Sequence, residues 1–359
     1  MPSTMNRRDI TPSAQRRTHR LGATLLAGAA ALALTACGGA PAQSPTSALS
    51  TAPTTSSTPS VATPTPSATP TMTKPGLTGS QVFAVKIDHT RPSHPRVGTS
   101  SADVVYVEPV EAGLTRLLAV FSSTLPEKVG PVRSTRESDV DLLANYGTKV
   151  AFAFSGASDY TMARINKGTQ VNLSFDADRT GYTREAGRPK PYDVIGTTSV
   201  LLQRAGGSVP PGDVGFYYGT APTGGASGTA VRTSWTSSTI SFSYASSAGK
   251  YLITSDGRQE VDVLTGGKPV EAANVIVQYV VTKPSGNRDI NGVVTPLVEV
   301  TGTGKAILLR EGKSWQGTWT RPDAASPTAF KTADGQDMQL AKGSTWVLLV
   351  PQGQGVTVS

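Results

Sequence analysis

The chain has 359 residues, with 33 Lys and Arg against 25 Asp and Glu, and a formal net charge of +8 at pH 7. Much of this positive charge lies in residues 1–76, so the remainder is too weakly basic to indicate a nucleic-acid-binding protein. The single cysteine excludes an internal disulfide framework, and the three histidines argue against a histidine-based catalytic triad.

The first 36 residues have the layout of a secretory signal. Basic residues precede the apolar run Leu21–Ala36, which is shorter than the roughly 20 residues of a membrane-spanning helix. The run ends in Leu-Thr-Ala before Cys37, an order that resembles a bacterial lipobox. We therefore predict a lipoprotein signal peptide over residues 1–36, lipidation of Cys37 with palmitate, and a place on the outer face of the bacterial cytoplasmic membrane. Two arginine pairs leave the choice between Sec and twin-arginine export open.

Composition divides the rest of the chain into three parts. Residues 37–76 are almost wholly Ala, Pro, Ser and Thr, which predicts a disordered tether because such a segment cannot bury a core. Strand and helix patterns then alternate over residues 77–205, which predicts an α/β (or α+β) domain. From residue 206 to residue 359, short alternating runs separated by Gly, Ser and Thr predict a mostly antiparallel β domain.

Unusual polar residues concentrate in the middle of the first predicted domain. The apolar runs Val104–Val107 and Leu117–Phe121 predict buried strands, and Glu108 and Glu111 lie in the turn between them. Two carboxylates at a strand end have the chemistry of a general acid/base pair, so they are candidate catalytic residues of a hydrolase.

A helix is predicted to begin near Ser134, because Ser134 and Glu137 match the capping-box pattern. Helix N-termini favour anions, and arginines flank this one. A second polar loop, residues 178–193, adds further cations. Ion pairs that serve only the fold remain the structural alternative. The candidate ligand-binding residues are Arg116, Arg133, Ser134, Arg136, Arg184, Arg188 and Asp193.

Residues 88–96 form a proline-broken polar segment that contains His89 and His94. The spacing matches no standard metal-ligand motif, so we predict a surface loop and no metal site. The sequence also lacks a phosphate loop, a nucleophile elbow and a dinucleotide fingerprint, so we predict no cofactor.

Several runs resemble the DUF3048 family of YerB-like bacterial lipoproteins. They are VVYVEPVEAGLTRLLAVF with LPEKVGPVRSTR, the segment from Arg184 to Pro191, and GTGKAILLREGKSWQGTW with ANVIVQY. The resemblance covers about residues 80–355 and implies an α/β domain followed by a β domain, but no catalytic residues. This chain has Asp88 where the family tends to have Asn, and Tyr192-Asp193 where it tends to have His-Asn.

Three functions remain open at this point. The first is binding of an anionic or polar cell-envelope glycan in a cleft lined by arginine and glutamate. The second is an interaction or regulatory role, docking an envelope protein complex. The third is hydrolysis of a cell-wall polymer by Glu108 and Glu111. The sequence leaves enzymatic activity undecided, and it predicts the membrane as a partner through the lipid on Cys37.

Overall fold

The computed structural model describes Leu77, residues 79–207 and residues 209–359. The predicted signal peptide, Cys37 and the tether lie outside the described residues. The strands of the first half are β1 (Phe83–Asp88), β2 (Val104–Pro109), β3 (Thr115–Phe121), β4 (Lys128–Val129), β5 (Val150–Ala153), β6 (Gln170–Asn172), β7 (Tyr182–Arg184) and β8 (Val194–Thr197). Its helices are α1 (Glu137–Leu143), α2 (Asp159–Ile165) and α3 (Thr198–Arg204).

The second half consists of strands joined by turns and one 3-10 turn, Val263–Thr265. Its longest strand has 15 residues and forms a hairpin with the next strand. The strands are β9 (Ala226–Ser227), β10 (Ala230–Trp235), β11 (Ser238–Ala245), β12 (Lys250–Ser255), β13 (Arg258–Gln259), β14 (Val261–Asp262), β15 (Lys268–Pro269), β16 (Glu271–Ala272), β17 (Asn274–Arg288), β18 (Val294–Glu299), β19 (Gly302–Arg310), β20 (Lys313–Arg321), β21 (Ala329–Thr332), β22 (Thr345–Pro351) and β23 (Val356–Val358).

One twisted sheet runs through both halves. Its order is β21-β20-β19-β17-β22-β2-β3-β1-β5-β6, with β18 and β9 paired at the side. The halves join where β2 pairs with β22 in parallel, from Val104 opposite Thr345 to Val107 opposite Leu348. Both strands are buried along nearly their whole length, as expected for apolar runs covered on both faces. The fold class is confirmed: a mixed α/β first half precedes a mostly antiparallel second half.

Each face of the central sheet carries its own apolar core. One core includes Val105 and Leu117 of the sheet with Phe242 and Tyr251 of a second sheet, ordered β13-β12-β11-β10-β23. Burial alternates along β10, β11 and β12, so one face of that second sheet packs inward. The other core includes Tyr106 and residues of α1.

The polar segment at residues 88–96 is not the surface loop that the sequence predicted. Asp88, His89 and Arg96 are each no more than 1% exposed. Glu260, from the second half, supplies a carboxylate for Arg96 and lies 3.6 Å from His89, whereas the Asp88 carboxylate pairs with Arg133. Segments so rich in proline and polar residues normally lie on the surface, because burial of an unpaired charge is unfavourable. Here the carboxylate of Glu260 compensates for the burial of Arg96.

Candidate ligand-binding cavity

The candidate site lies at one end of the central sheet, where β1 and β2 end and β3 begins. Arg116 lies opposite Asp88 of β1 on one side and opposite Glu108 of β2 on the other. Opposed residues of antiparallel strands project from the same face, so these three side chains share the face that α1 covers. The backbone beyond β4 runs past the same edge, with the Arg133 amide donating to the Lys86 carbonyl at 2.8 Å.

The helix beside this edge begins later than the sequence predicted. α1 starts at Glu137, and the Asp139 carboxylate accepts a hydrogen bond from the Arg136 amide at 2.7 Å. Ser134 and Glu137 therefore do not form a capping box, because Ser134 lies three residues before the first helical residue. A helix of seven residues contributes little dipole, so any affinity for anions must come from the side chains.

The structure brings four of the predicted ligand-binding residues into one cavity of about 280 Å³: Arg116, Arg133, Ser134 and Arg136. Glu111 also lines it. The remaining wall comes from three segments, of which the sequence analysis associated only the start of the helix with the site. These are the start of α1, the turn after β5 and the tip of the β17–β18 hairpin, namely Thr135, Glu137, Gly156, Ala157, Ser158, Thr161, Asn287, Arg288, Asp289, Ile290, Asn291 and Thr295.

The three inner arginines differ in their partners. Arg133 pairs with Asp88 through Nε at 2.9 Å, and Arg136 pairs with Glu111. Arg116 donates to the Ser134 carbonyl at 3.0 Å, and within the described part of the chain it forms no ion pair. Burial, together with the positive charges of Arg136 and Arg133, lowers the pKa of Arg116 to about 9, although Asp88 and Glu111 oppose this shift. The cavity therefore holds one guanidinium that other cations repel.

The two candidate catalytic glutamates do not share a cleft. Glu111 lines the cavity, where burial raises the pKa of its carboxyl but hydrogen bonding and charge from Arg136 outweigh that effect and hold the pKa below its usual value. Its other oxygen accepts from Thr295 at 2.6 Å. Both oxygens are thus engaged, so Glu111 is poorly placed to accept or donate a proton.

Glu108 is fully buried and ion-paired with Lys86, and it accepts a hydrogen bond from Ser138. Burial raises the pKa of Glu108, the neighbouring Asp139 raises it further, and Lys86 opposes both. An acid/base pair needs two carboxylates that face one substrate. The structure does not meet that requirement, because Glu111 lines the cavity whereas Glu108 is fully buried and does not line it.

The second basic loop does not join the cavity either. Arg184 pairs with Asp193 at 2.6 Å, and Arg188 donates to the carbonyls of Ser93 and Pro95 at 3.1 and 2.7 Å. The expectation that these residues converge with Arg133 in one cleft is therefore wrong. The loop reaches the back of the site only through Tyr192, whose ring centre lies 5.7 Å from the Arg133 guanidinium carbon.

A hairpin from the second half forms the outer wall of the cavity. The Asn287 side chain donates to Glu137, and Thr295 donates to Glu111, so two glutamates of the first half bind the hairpin. The run Gly286–Gly292 contains asparagine, aspartate and glycine, which indicates a hairpin turn from sequence alone. Its contact with the first half carries no local sequence signal.

Comparison with known proteins agrees with this architecture. The fold defines a class of two-part proteins in which an α/β half is followed by an antiparallel β half. The chain belongs to the DUF3048 family: residues 68–209 match its model described as "Protein of unknown function (DUF3048) N-terminal domain", and residues 229–347 match the corresponding C-terminal domain.

One relative and one solved structure resemble most of the chain. A Bacillus subtilis protein named "Putative lipoprotein YerB" is 26% identical over 312 residues, which cover 80% of this chain and 86% of that protein. The crystal structure of YerB protein from Bacillus subtilis matches with a TM-score of 0.67 at 23% identity, covering 80% of this chain and 96% of that one. Among the described residues, no helix is long and apolar enough to cross a membrane.

Proposed function

We propose that this protein is a membrane-anchored, extracytoplasmic lipoprotein that binds an anionic group of a cell-envelope glycan in the cavity around Arg116. The observation that carries the proposal is Arg116 itself. It lines the cavity, it forms no ion pair among the described residues, and repulsion from Arg136 and Arg133 outweighs the attraction of Asp88 and Glu111. A bound anion would supply the missing negative charge.

The chemistry of guanidinium groups supports a phosphate or a carboxylate as the bound group. An arginine offers five N–H donors in a planar fork that matches either anion. Among the described residues, Arg133 forms its side-chain hydrogen bond through Nε to Asp88, and its terminal N–H groups form none, so they can donate to a ligand. Hydrogen bonds to charged groups contribute about 1.5–3 kcal/mol each, enough to hold a small anionic group in a preformed cavity.

Substitution of Arg116 separates ligand binding from a structural role. Arg116→Met should reduce binding to purified cell-wall fractions by about tenfold or more, since at least one charged hydrogen bond is lost. It should leave thermal stability unchanged or raise it, because it removes a cation that its neighbours repel. Binding is measured by co-sedimentation and stability by thermal unfolding.

The matched control is Arg232→Met, which removes an exposed arginine of β10. Arg232 is not among the residues that line the cavity. It should bind as the unsubstituted protein does. A stability loss for Arg116→Met with unaltered binding would show that Arg116 serves the fold and would overturn the proposal.

Anchoring through Cys37 is tested separately. Cys37→Ser removes the thiol that a lipid would modify, so the protein should leave the membrane fraction or accumulate with its leader uncleaved. Fractionation of cells followed by immunoblotting measures both outcomes. A variant with the distribution and electrophoretic mobility of the unsubstituted protein would exclude the lipid anchor.

One observation favours the second candidate function, docking to an envelope protein complex. Ile290 at the hairpin tip is fully exposed, and Val293 and Val294 beside it are more than a third exposed. An exposed apolar tip is typical of interaction surfaces. Val293→Ser separates the two functions, because Val293 is not among the residues that line the cavity. It should weaken capture of a partner protein and leave glycan binding in the cavity intact.

A further inference from the structure

Among the described residues, four charged side chains that line the cavity form no ion pair. Arg288 and Asp289 belong to the hairpin tip, where Arg288 is exposed and Asp289 accepts hydrogen bonds from the backbone of its own turn. The other two have opposite signs and come from the first half of the chain. Arg116 is one, and Glu137 is the other. Glu137 is 6% exposed, and its Oε1 accepts from the Asn287 amide. Among the described residues, no basic nitrogen lies within 4.0 Å of its carboxylate. Burying a charge without a partner is costly, so a cavity that keeps two such groups apart is suited to a ligand that carries both opposite charges.

Both groups keep atoms open to the cavity. Arg116 uses one terminal nitrogen toward Ser134, and neither its Nε nor its second terminal nitrogen is sealed. The Oε2 atom of Glu137 is likewise neither bonded to a described residue nor sealed. Because the Asn287 amide nitrogen donates to Glu137, the Asn287 carbonyl oxygen remains as a second acceptor beside that carboxylate.

The size of the cavity limits what it takes. At about 280 Å³ it lies just below the roughly 300–1,000 Å³ of pockets that bind drug-sized molecules. It therefore accepts one small unit of a polymer or one pendant group. The charges on that single unit must satisfy both Arg116 and Glu137.

We propose that the unit bound in this cavity is zwitterionic, with a phosphate or carboxylate on Arg116 and Arg133 and a free ammonium on Glu137 and the Asn287 carbonyl oxygen. This inference rests on the proposed function and narrows it. Envelope glycans that carry amine-bearing substituents or peptide ends fit the cavity, and plain polyanions do not. The hairpin thereby becomes the wall that recognises the ammonium.

Paired small probes test the ammonium contact directly. Phosphoethanolamine carries a phosphate and an ammonium, whereas ethyl phosphate has nearly the same shape without the ammonium. By calorimetric titration at neutral pH, the unsubstituted protein should bind phosphoethanolamine about tenfold more tightly than ethyl phosphate, a difference of about 1.4 kcal/mol. β-Alanine and propionate form the corresponding pair for a carboxylate, with and without an ammonium group. Tenfold tighter binding of the zwitterion in either pair supports the proposal.

Glu137→Gln is the discriminating variant, because glutamine keeps the oxygen that accepts from Asn287 and removes the charge. It should erase the preference for the zwitterion and leave affinity for ethyl phosphate within about threefold of the original value. Arg116→Met should weaken all four probes. Arg232→Met is again the control, and thermal unfolding verifies that each variant is folded.

The outcomes distinguish this inference from the proposed function. Equal affinity for both members of each pair, with all binding lost in Arg116→Met, would overturn the zwitterion and leave the anion site standing. A preference for the zwitterion that persists in Glu137→Gln would also overturn it. Absence of binding by every probe, together with cell-wall binding that depends on Arg116, would overturn the zwitterion alone. Absence of both kinds of binding would overturn both proposals.

Discussion

Lys86→Met should destabilise the protein by about 3–5 kcal/mol, the effect expected when one partner of a buried ion pair is removed. Lys86 is fully buried between Glu108 and Asp139, with 2.7 Å between its Nζ and the Asp139 carboxylate. Methionine fills a similar volume but leaves two buried carboxylates side by side without a cation. The free energy of unfolding is measured by urea denaturation.

The loss should also depend on pH. The pKa of Glu108 is already raised by burial in the unsubstituted protein, and removal of Lys86 removes the main opposing influence. The folded variant then binds a proton that the unfolded chain releases near pH 4.5, so its stability falls as pH rises above that value. The deficit relative to the unsubstituted protein should therefore be larger at pH 8 than at pH 5.

The matched control is Lys331→Met, which breaks the pair with Asp337, where both side chains are at least 40% exposed. Exposed pairs contribute about 0–1 kcal/mol, so this variant should be nearly neutral at both pH values. A deficit for Lys86→Met no larger than that of the control, or one independent of pH, would show that Lys86 does not neutralise the buried carboxylates.

Local patterns predict the fold class because the spacing of apolar residues in each half matches the secondary structure that the half adopts. Apolar runs such as Val104–Val107 mark strands buried on both faces, and alternation marks β10 to β12. The parallel pairing of β2 with β22 was not predicted, since strands from opposite ends of a chain share no local signal. The division between residues 205 and 206 stays a prediction, and the central sheet crosses it.

The cavity could be predicted in part for a similar reason. Arg133, Ser134 and Arg136 are near neighbours in sequence, and Arg116 is the second residue of the strand beside them. The sequence analysis assigns Glu108 to a catalytic pair because nothing in the apolar run of β1 indicates that its lysine, Lys86, is buried. In the structure Lys86 forms an ion pair with Glu108. Asn287 and Thr295 could not be predicted because they contact residues 150 and 184 positions away, and contacts at such a separation have no local sequence signal.

A second buried cluster, on the other face of the sheet, joins the two halves. Arg96 is fully buried and pairs with Glu260, while His94 accepts from Arg96 at 2.9 Å between their nitrogens. His89 lies between Thr115 and Ser255 at 2.7 and 2.8 Å. An arginine only donates hydrogen bonds, so the His94 ring nitrogen that faces it must carry a lone pair. The cluster is therefore built for neutral histidines.

Glu260→Gln should cost about 3–5 kcal/mol at pH 7, because it leaves the buried Arg96 without a counter-charge. Burial raises the pKa of Glu260, but the charge of Arg96 outweighs burial and holds the pKa well below 4.5. Its stabilising contribution is thus present above about pH 4.5 and is lost as pH falls below that value. Chemical denaturation between pH 3 and pH 8 should show the variant and the unsubstituted protein converging in acid.

His94 gives the same cluster a second, higher pH window. Burial, followed by the charge of Arg96, lowers its pKa from 6.5 to about 4. Between those pH values His94 is protonated in the unfolded chain and neutral in the folded protein. The free energy of unfolding therefore declines as pH falls from about 6.5 to about 4. His94→Gln removes that titration and should make the profile less steep within this window. The buried His89, whose pKa is also lowered, and Glu260 cause the decline that remains. A variant whose profile follows that of the unsubstituted protein between pH 4 and pH 6.5 would show that His94 is protonated in the folded state, contrary to its bond with Arg96.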